Sequence, residues 1–400
     1  MLTWFYILAV QQILQGLYSL SGGLLWLRFV RQRLASHPGF YAPRVALICP
    51  CKGVEPGLEE NLMAMTRFDY PEYEIFFARA EAADPAREVI ERVVARSEHP
   101  AHVVIAGPPT DCGEKVNNLR AAVEEIGEAF EVLAFTDSDV SAGRRWLARL
   151  IAPLGDTRRA AATTTFRWCI PPSRGGFWSA VAAAWNAGIV TMLGGHSHNF
   201  CWGGGMAIRR KTFDEIRGLE FWKGAVSDDF ALTRALENAG RPIYFVPECL
   251  APTLHDTTRR GLIEFTNRQI VITRVYSPRL WFGALLTHLS YCGTLIFAAG
   301  VILASAFDGS PWFSLALVAL LIPLLAALKG AMRLVAVLEI LPDWRGKLLE
   351  WNWVWSSLAP LVPFLYSWNL LVSAFSRRIR WRGVRYELIS QNQTRILSHY

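Results

Sequence analysis

The sequence has few charged residues for its length. Asp, Glu, Lys and Arg make up 19% of the 400 positions, whereas apolar residues make up 52% and include sixteen Trp. An ordinary soluble domain has about 25% charged residues. The shortage of charge therefore favours a membrane-attached protein over a freely soluble one.

The sequence also lacks the cysteine spacings of a disulfide or zinc framework. Its seven Cys are scattered, and Cys49 and Cys51 form the only close pair. There is no Cys-x-x-Cys and no zinc-type spacing, so reduced cytoplasmic thiols fit the pattern best.

A basic stripe interleaved with aromatic residues, typical of nucleic-acid-binding faces, is absent as well. The net charge is +7, but the Arg residues cluster beside apolar runs, as in the flanks of membrane spans. We therefore expect no nucleic-acid partner.

Long apolar runs are abundant. Residues 4–27 are nearly uncharged and are followed directly by Arg28, Arg31 and Arg33. About 20 apolar residues suffice to span a bilayer, and basic residues favour the cytoplasmic side. The pattern predicts an uncleaved N-terminal transmembrane anchor over residues 1–30, with a buried core helix as the alternative.

Three further apolar runs, 283–306, 312–328 and 351–375, predict C-terminal transmembrane or interfacial helices over residues 281–376. The last run contains Pro360 and Pro363, which favour a kink or an interfacial position. The Arg residues that follow predict a basic cytoplasmic tail over residues 377–400. Four full crossings would put this tail outside, so we expect that one run is not a simple crossing.

Residues 40–280 alternate between short apolar runs and segments of helical spacing. Strands are predicted over 44–49, 73–78, 101–106 and 131–136, and helices over 59–65, 84–96 and 115–130. Short connections between alternating strands and helices predict a parallel, doubly wound α/β sheet.

The run 131–136 ends in two carboxylates, Asp137 and Asp139, separated by one residue. Residues two apart share a strand face, and ligands of open α/β sheets bind at the carboxyl ends of strands. Paired carboxylates there suit Mg²⁺ or Mn²⁺ holding a diphosphate. The alternative is a plain turn, because Asp and Ser are common turn residues.

A second acidic pair, Asp228 and Asp229, begins a predicted helix over residues 227–238. One acid suffices to cap a helix, so the second is available for chemistry. The preceding stretch 194–205 is rich in glycine and is predicted to be a loop near a site, where Gly203, Gly204 and Gly205 permit close backbone approach to a ligand. The alternative is a flexible connection. His196 and His198 of this stretch are interpreted as polar loop residues rather than metal ligands, and Cys201 as a buried apolar residue or a residue lining the acceptor pocket.

Several long segments, in order, resemble the ceramide glucosyltransferase-like family of inverting GT-A glycosyltransferases. They are KGVEPGLEENL over 52–62, Asp84-Pro85-Ala86, KVNNL over 115–119, Asp137-Ser138-Asp139, Ser227-Asp228-Asp229-Phe230, and Trp381-Arg382-Gly383 with Tyr386. The resemblance implies a GT-A, Rossmann-like catalytic domain over residues 40–280, in the cytoplasm and anchored in a bacterial inner membrane.

The resemblance also implies roles for individual residues. Asp84 would contact the uridine of a UDP-sugar, and Asp137 and Asp139 would bind its diphosphate through a divalent metal. Asp229 would be the general base, with Asp228 beside it. Further donor contacts are expected from Lys52, Lys115 and Arg268.

One motif departs from the family pattern. Where the family has Gln/Arg-x-x-Arg-Trp, this chain has Arg268 at the first position but Val271 and Ile272 at the last two. Arg274 and Tyr276 lie nearby as possible substitutes. The departure leaves the acceptor and the sugar open.

The expected function is transfer of a sugar from a UDP-sugar to a hydroxyl of a membrane lipid, such as a ceramide-like, hopanoid or glycerolipid acceptor. One alternative is a processive polysaccharide synthase of the same fold. Another is a non-catalytic membrane protein that binds nucleotides.

Overall fold

The computed structural model describes residues 2–36, 39–308 and 317–399. The chain divides into two compact units. The sheet unit comprises residues 33–168, 192–253 and 377–400, and the helical unit comprises residues 1–32, 169–191 and 254–376. The predicted catalytic domain over 40–280 thus differs from the sheet unit, because 169–191 and 254–280 belong to the helical unit and the C-terminal segment belongs to the sheet unit.

The strands follow one another along the chain as β1 to β12. They are Val45–Pro50, Tyr73–Arg79, Ala101–Ile105, Val132–Thr136, Ala162–Thr164, Arg167–Ile170, Gly205–Arg209, Ile243–Phe245, Ala251–Leu254, Arg378–Trp381, Val384–Ser390 and Gln393–His399.

The α-helices are numbered α1 to α15 in the same way. They are Leu2–Ala35, Leu58–Met65, Arg87–Ala95, Glu114–Ile126, Trp146–Ile151, Phe177–Val190, Arg210–Glu215, Gly218–Trp222, Asp228–Asn238, Arg259–Tyr276, Pro278–Asp308, Leu321–Ile340, Arg345–Glu350, Asn352–Ser357 and Val362–Phe375.

The main sheet has seven strands in the order β3-β2-β1-β4-β7-β5-β8. Strands β1 and β4 are buried along their whole length, as the continuous apolar runs predicted. The first four strands are parallel, in agreement with the predicted nucleotide-binding half.

The predicted parallel arrangement does not extend to β7, which runs antiparallel to β4 and β5. Its first residue, Gly205, pairs with the last residue of β4, Thr136. The chain therefore enters β7 from the edge where β4 ends, and it must run in the opposite direction. The pairing places the loop before β7 beside Asp137.

The C-terminal segment, expected as a basic tail, folds as a three-stranded antiparallel sheet of β10, β11 and β12. Strand β11 alternates, with Val384, Tyr386 and Leu388 buried. This period of two is typical of a strand with one face packed against a core. The tail is thus an integral part of the sheet unit.

Two helices of the described residues are long and apolar enough to cross a membrane, Pro278–Ser305 and Leu317–Ile340. The first matches the predicted run 283–306. The second extends the predicted run 312–328, of which residues 312–316 lie outside the described residues. Helix α1 contains the run 4–27 but is not one of the two, so the N-terminal anchor stays a prediction.

The run 351–375 is divided into α14 and α15, of 6 and 14 residues. Neither reaches the roughly 20 residues needed for a crossing. The break falls at residues 358–361, which include Pro360. The region is therefore not one simple spanning helix.

Candidate active site

Lys115 lies at the centre of the acidic residues of the sheet unit. Its Nζ is 2.7 Å from Oδ1 of Asp137 and 3.2 Å from Oδ2 of Asp228. Asp137 follows β4, Lys115 is in the first turn of α4, and Asp228 begins α9. Three elements far apart in sequence thus meet at one cation.

The charges of this cluster stabilise one another. Burial acts to lower the pKa of Lys115, but Asp137 and Asp228 outweigh burial, and the pKa is raised. Burial likewise acts to raise the pKa of Asp137, but Lys115 outweighs it, and the pKa is lowered. Both groups are therefore charged at neutral pH.

Asp228 differs from Asp137 because it is almost fully buried, at 2% exposure. Burial, opposed by Lys115 and reinforced by Asp229, raises the pKa of Asp228 to about 7. Its backbone carbonyl accepts a hydrogen bond of 3.0 Å from Nε1 of Trp222. Asp228 is therefore placed to position Lys115 rather than to reach a substrate.

Asp229 lies beside this ion pair and is partly exposed. Its Oδ1 accepts hydrogen bonds from the Ser227 hydroxyl and from the Phe230 amide, the latter at 2.8 Å. The Gly203 amide donates to its Oδ2 at 3.4 Å. These donors fix the carboxylate orientation, as a general base requires.

The glycine-rich loop before β7 makes room for the cluster. A Cβ at Gly203 would lie 2.5 Å from Nζ of Lys115 and closer still to Oδ2 of Asp228. The prediction that glycine permits close backbone approach therefore applies here to the protein's own charged side chains. His196 and His198 are exposed in the same loop, and Cys201 is buried.

Asp139 lies at the more open end of the cluster, with its side chain 32% exposed. Its Oδ2 is 3.7 Å from Nη1 of Arg167, whose guanidinium lies 5.8 Å from the ring of Trp202. Sequence reasoning missed Arg167, because it stands in the irregular stretch 141–185 outside any recognised motif.

Asp137 and Asp139 fit a divalent cation only if other groups complete its coordination. Within the ranges that the structure describes, no group of three or more His, Cys, Asp or Glu side chains is arranged to hold a metal. In enzymes with phosphate-containing substrates, Mg²⁺ is commonly held by one or two carboxylates together with substrate phosphates and water. Asp137 and Asp139 fit a cation that is bound together with a diphosphate.

Asp84 connects two loops at the same edge of the sheet. Its Oδ1 accepts a hydrogen bond from the Gly53 amide and another from the Ala86 amide, both at 2.8 Å. It thereby holds the loop after β1 against the start of α3. This bonding also explains why α3 begins at Arg87 rather than at residue 84.

Lys52 and Arg268 were both predicted to contact the donor. Nζ of Lys52 is 2.5 Å from Oε2 of Glu114. Arg268 belongs to α10 of the helical unit, where its guanidinium lies 5.5 Å from the ring of Phe265. The donor roles of both residues stay predictions.

Arg382 of the C-terminal sheet also contacts this region, although the sequence predicted no individual role for it. Nη1 of Arg382 donates to the Lys52 carbonyl at 3.0 Å, and Nη2 is 2.8 Å from Oε1 of Glu55. Arg382 and Gly383 form the turn between β10 and β11 with φ values of 45° and 82°. Positive φ at both central residues is typical of a two-residue β-hairpin turn, so the turn accounts for the left-handed Arg382.

Solved structures with a similar chain course include a mannosyltransferase from Pyrobaculum calidifontis in complex with GDP-Man and Mn2+. It is 16% identical, with coverage of 91% of this chain and 99% of that chain and a TM-score of 0.46. A glucosyl-3-phosphoglycerate synthase from Mycobacterium tuberculosis is 14% identical, with coverage of 60% and 84% and a TM-score of 0.40.

Curated relatives include two proteins of Caenorhabditis elegans. Ceramide glucosyltransferase 1 is 22% identical over 56% of this chain and 48% of its own length. Ceramide glucosyltransferase 3 is 23% identical over 66% of this chain and 57% of its own length. The chain thus spans about half the length of the curated relatives that it matches.

The family comparison covers nearly the whole sequence. The model of glycosyl transferase family 21 matches residues 5–394, which include the acidic cluster, strands β10 and β11 of the C-terminal sheet and most of the helical unit. This chain therefore belongs to glycosyl transferase family 21.

Proposed function

We propose that this protein transfers a sugar from a UDP-sugar to a hydroxyl of a membrane lipid, with inversion at the anomeric carbon. The observation that carries the proposal is the meeting of the two acidic pairs at Lys115. One pair suits a leaving diphosphate with its metal, and the other suits a base. Membership of glycosyl transferase family 21 supports the same reaction class.

On the donor side, Asp137 and Asp139 would hold Mg²⁺ or Mn²⁺ with the diphosphate of the donor. The cation would neutralise charge that develops on the leaving UDP. Lys115 keeps Asp137 ionised and in place. Asp84, which braces the loop after β1, would contact the uridine, with Lys52 and Arg268 as further donor contacts.

On the acceptor side, Asp229 would act as the general base. Its carboxylate would take the proton from the acceptor hydroxyl while that oxygen bonds to the anomeric carbon. The bond from this carbon to the diphosphate breaks on the opposite face, which inverts the configuration. Asp228 would act as a positioning residue through Lys115.

The acceptor would be a membrane lipid with a free hydroxyl, of ceramide-like, hopanoid or glycerolipid type. Two helices of spanning length and the naming of both relatives as ceramide glucosyltransferases support a lipid acceptor. We place the protein in a bacterial inner membrane, with its catalytic domain and residues 377–400 in the cytoplasm. This placement follows the Arg flanks.

The test is a transfer assay on membranes that contain the full chain, with a panel of radiolabelled UDP-sugars and thin-layer separation of the lipid fraction. Asp229→Asn should lower transfer by roughly 10²–10⁴-fold, because a general base contributes about that much. UDP binding to the same variant, measured by calorimetry, should survive.

The matched control is Asp214→Asn, on an exposed carboxylate of α7 that pairs with Arg210. It should transfer sugar at the wild-type rate. Full turnover by Asp229→Asn would refute the base assignment. Label in a long polymer instead of a lipid would favour the processive synthase, and UDP binding without any transfer would favour a non-catalytic protein.

A further inference from the structure

The helical unit contains two cations within a helix of spanning length. Lys329 and Arg333 stand four residues apart on α12, so they share one face of the helix. Neighbouring positions on α12 expose large apolar side chains, including Leu324, Leu328 and Val335. Cations in such a helix are costly and usually mark a functional site.

Lys329 faces α1 and has a neutral partner there. Its Nζ donates a hydrogen bond of 2.7 Å to Oγ of Ser19. Gly23 of α1 also lies against this side chain, since a Cβ there would be in van der Waals contact with Cγ of Lys329 at 3.4 Å. The hydroxyl satisfies one of three ammonium donors but does not neutralise the charge.

Arg333 is less satisfied still. Its Nε is buried and donates to none of the residues that the structure describes, although the side chain as a whole is partly exposed. Tyr366 of α15 lies nearby, but its hydroxyl donates a hydrogen bond of 3.2 Å to the Trp185 carbonyl. A purely snorkelling arginine would keep its charged head hydrated, whereas part of this guanidinium is enclosed by protein.

The acid that could neutralise these cations is used elsewhere. Glu339, further along α12, is paired with Arg31 of α1 at 2.7 Å. Throughout the described part of the chain, neither Lys329 nor Arg333 contacts a carboxylate. Two adjacent cations without a counter-ion require an anion from outside the chain.

The chemistry of the side chains identifies the class of anion. The planar guanidinium fits the oxygens of a phosphate, and an ammonium adds a point charge. The large apolar side chains that α12 exposes around these cations favour a phosphate that belongs to a lipid over a free phosphate ion.

We propose that Lys329 and Arg333, with the hydroxyl of Ser19, bind one phosphate group of a membrane lipid. The site does not depend on the proposed sugar transfer, because it uses none of the residues of the acidic cluster. A phosphate-bearing lipid bound there would be a second substrate, a lipid acceptor with a phosphate, or a structural ligand of the helical unit.

The experiment uses the purified full chain in a non-ionic detergent, and native mass spectrometry counts bound molecules. The probes are phosphatidic acid, diacylglycerol with the same acyl chains, and inorganic phosphate. The wild-type protein should bind one phosphatidic acid and no diacylglycerol. Arg333→Gln should weaken phosphatidic acid binding by at least about tenfold, since a charge-assisted hydrogen bond is lost.

Arg31→Gln is the matched control, because Arg31 belongs to the same unit but is exposed and already paired with Glu339. It should bind phosphatidic acid like the wild type. Arg333→Lys keeps the charge but loses the planar fork, so it should bind with intermediate affinity and it provides a readout should Arg333→Gln misfold. Equal binding of diacylglycerol, or wild-type binding by both Arg333 variants, would overturn the site. If inorganic phosphate bound as tightly as phosphatidic acid, the assignment of the bound phosphate to a lipid would be overturned.

Discussion

Lys115 in the sheet unit and Lys329 with Arg333 in the helical unit are all cations withdrawn from water, but their surroundings differ. Lys115 lies between Asp137 and Asp228, so its charge is balanced inside the protein. Lys329 has a neutral hydroxyl as its partner, and Arg333 has a buried Nε without a hydrogen bond. A balanced cation supports the architecture around it, whereas an unbalanced one indicates a missing ligand.

The largest effect is expected from removing the balanced cation. Lys115→Met leaves Asp137 and Asp228 close together without the cation that lies between them. Breaking a buried pair costs about 3–5 kcal/mol. We therefore expect faster hydrogen exchange of the amides of β4 and α9, together with loss of UDP binding.

The control for this variant is Lys211→Met, on the exposed surface of α7. It should leave exchange and UDP binding unchanged. If β4 of Lys115→Met kept the wild-type protection against hydrogen exchange, the cluster would not depend on its central charge. Lys115 would then not be a cation that supports the structure around it.

The acidic cluster and the strands around it also show which features can be predicted from the sequence. The apolar runs located β1 to β4 within one residue at their starts, because buried parallel strands form continuous runs bounded by polar residues. The acids were found through motifs. That Lys115 joins Asp137 to Asp228 depends on a contact over more than one hundred residues, and local patterns contain no information on it.

The C-terminal sheet was missed for another reason. Its alternation of Ile379 and Trp381, then Val384, Tyr386 and Leu388, is typical of strands. The many Arg residues masked this pattern and favoured a basic tail. Likewise the direction of β7 depends on where the preceding loop enters the sheet, which no periodicity reveals.

An intermediate effect is expected at Arg382, a cation that is paired with an acid but is partly exposed. It pairs with Glu55 at 2.8 Å and holds the Lys52 carbonyl at 3.0 Å. The loop after β1 is held both by Arg382 and by Asp84, which binds the Gly53 amide. Arg382→Ala would remove the first of these two contacts. We expect the KM for the UDP-sugar to rise about tenfold, the equivalent of one charge-assisted hydrogen bond, with a smaller change in kcat.

Arg378→Ala is the control on the same sheet, because Arg378 forms an exposed pair with Glu387. It should leave the KM unchanged, since exposed pairs contribute little. An equal loss of kcat and of donor affinity in Arg382→Ala would instead indicate that the whole C-terminal sheet is disturbed.

The smallest effect, and one of opposite sign, is expected from removing the unbalanced cations. In lipid-free detergent, Lys329→Met combined with Arg333→Met should leave the thermal stability unchanged or raise it by about 1 kcal/mol, because replacing uncompensated buried charge with apolar volume is often stabilising. Phosphatidic acid at 100 times its Kd should then stabilise the wild type by about 2.7 kcal/mol and the double variant not at all. Scanning calorimetry with and without the lipid measures both.

A double variant that is strongly destabilised without lipid would mean that the two cations are balanced within the protein, as Lys115 is. The distinction between the two regions would then be lost.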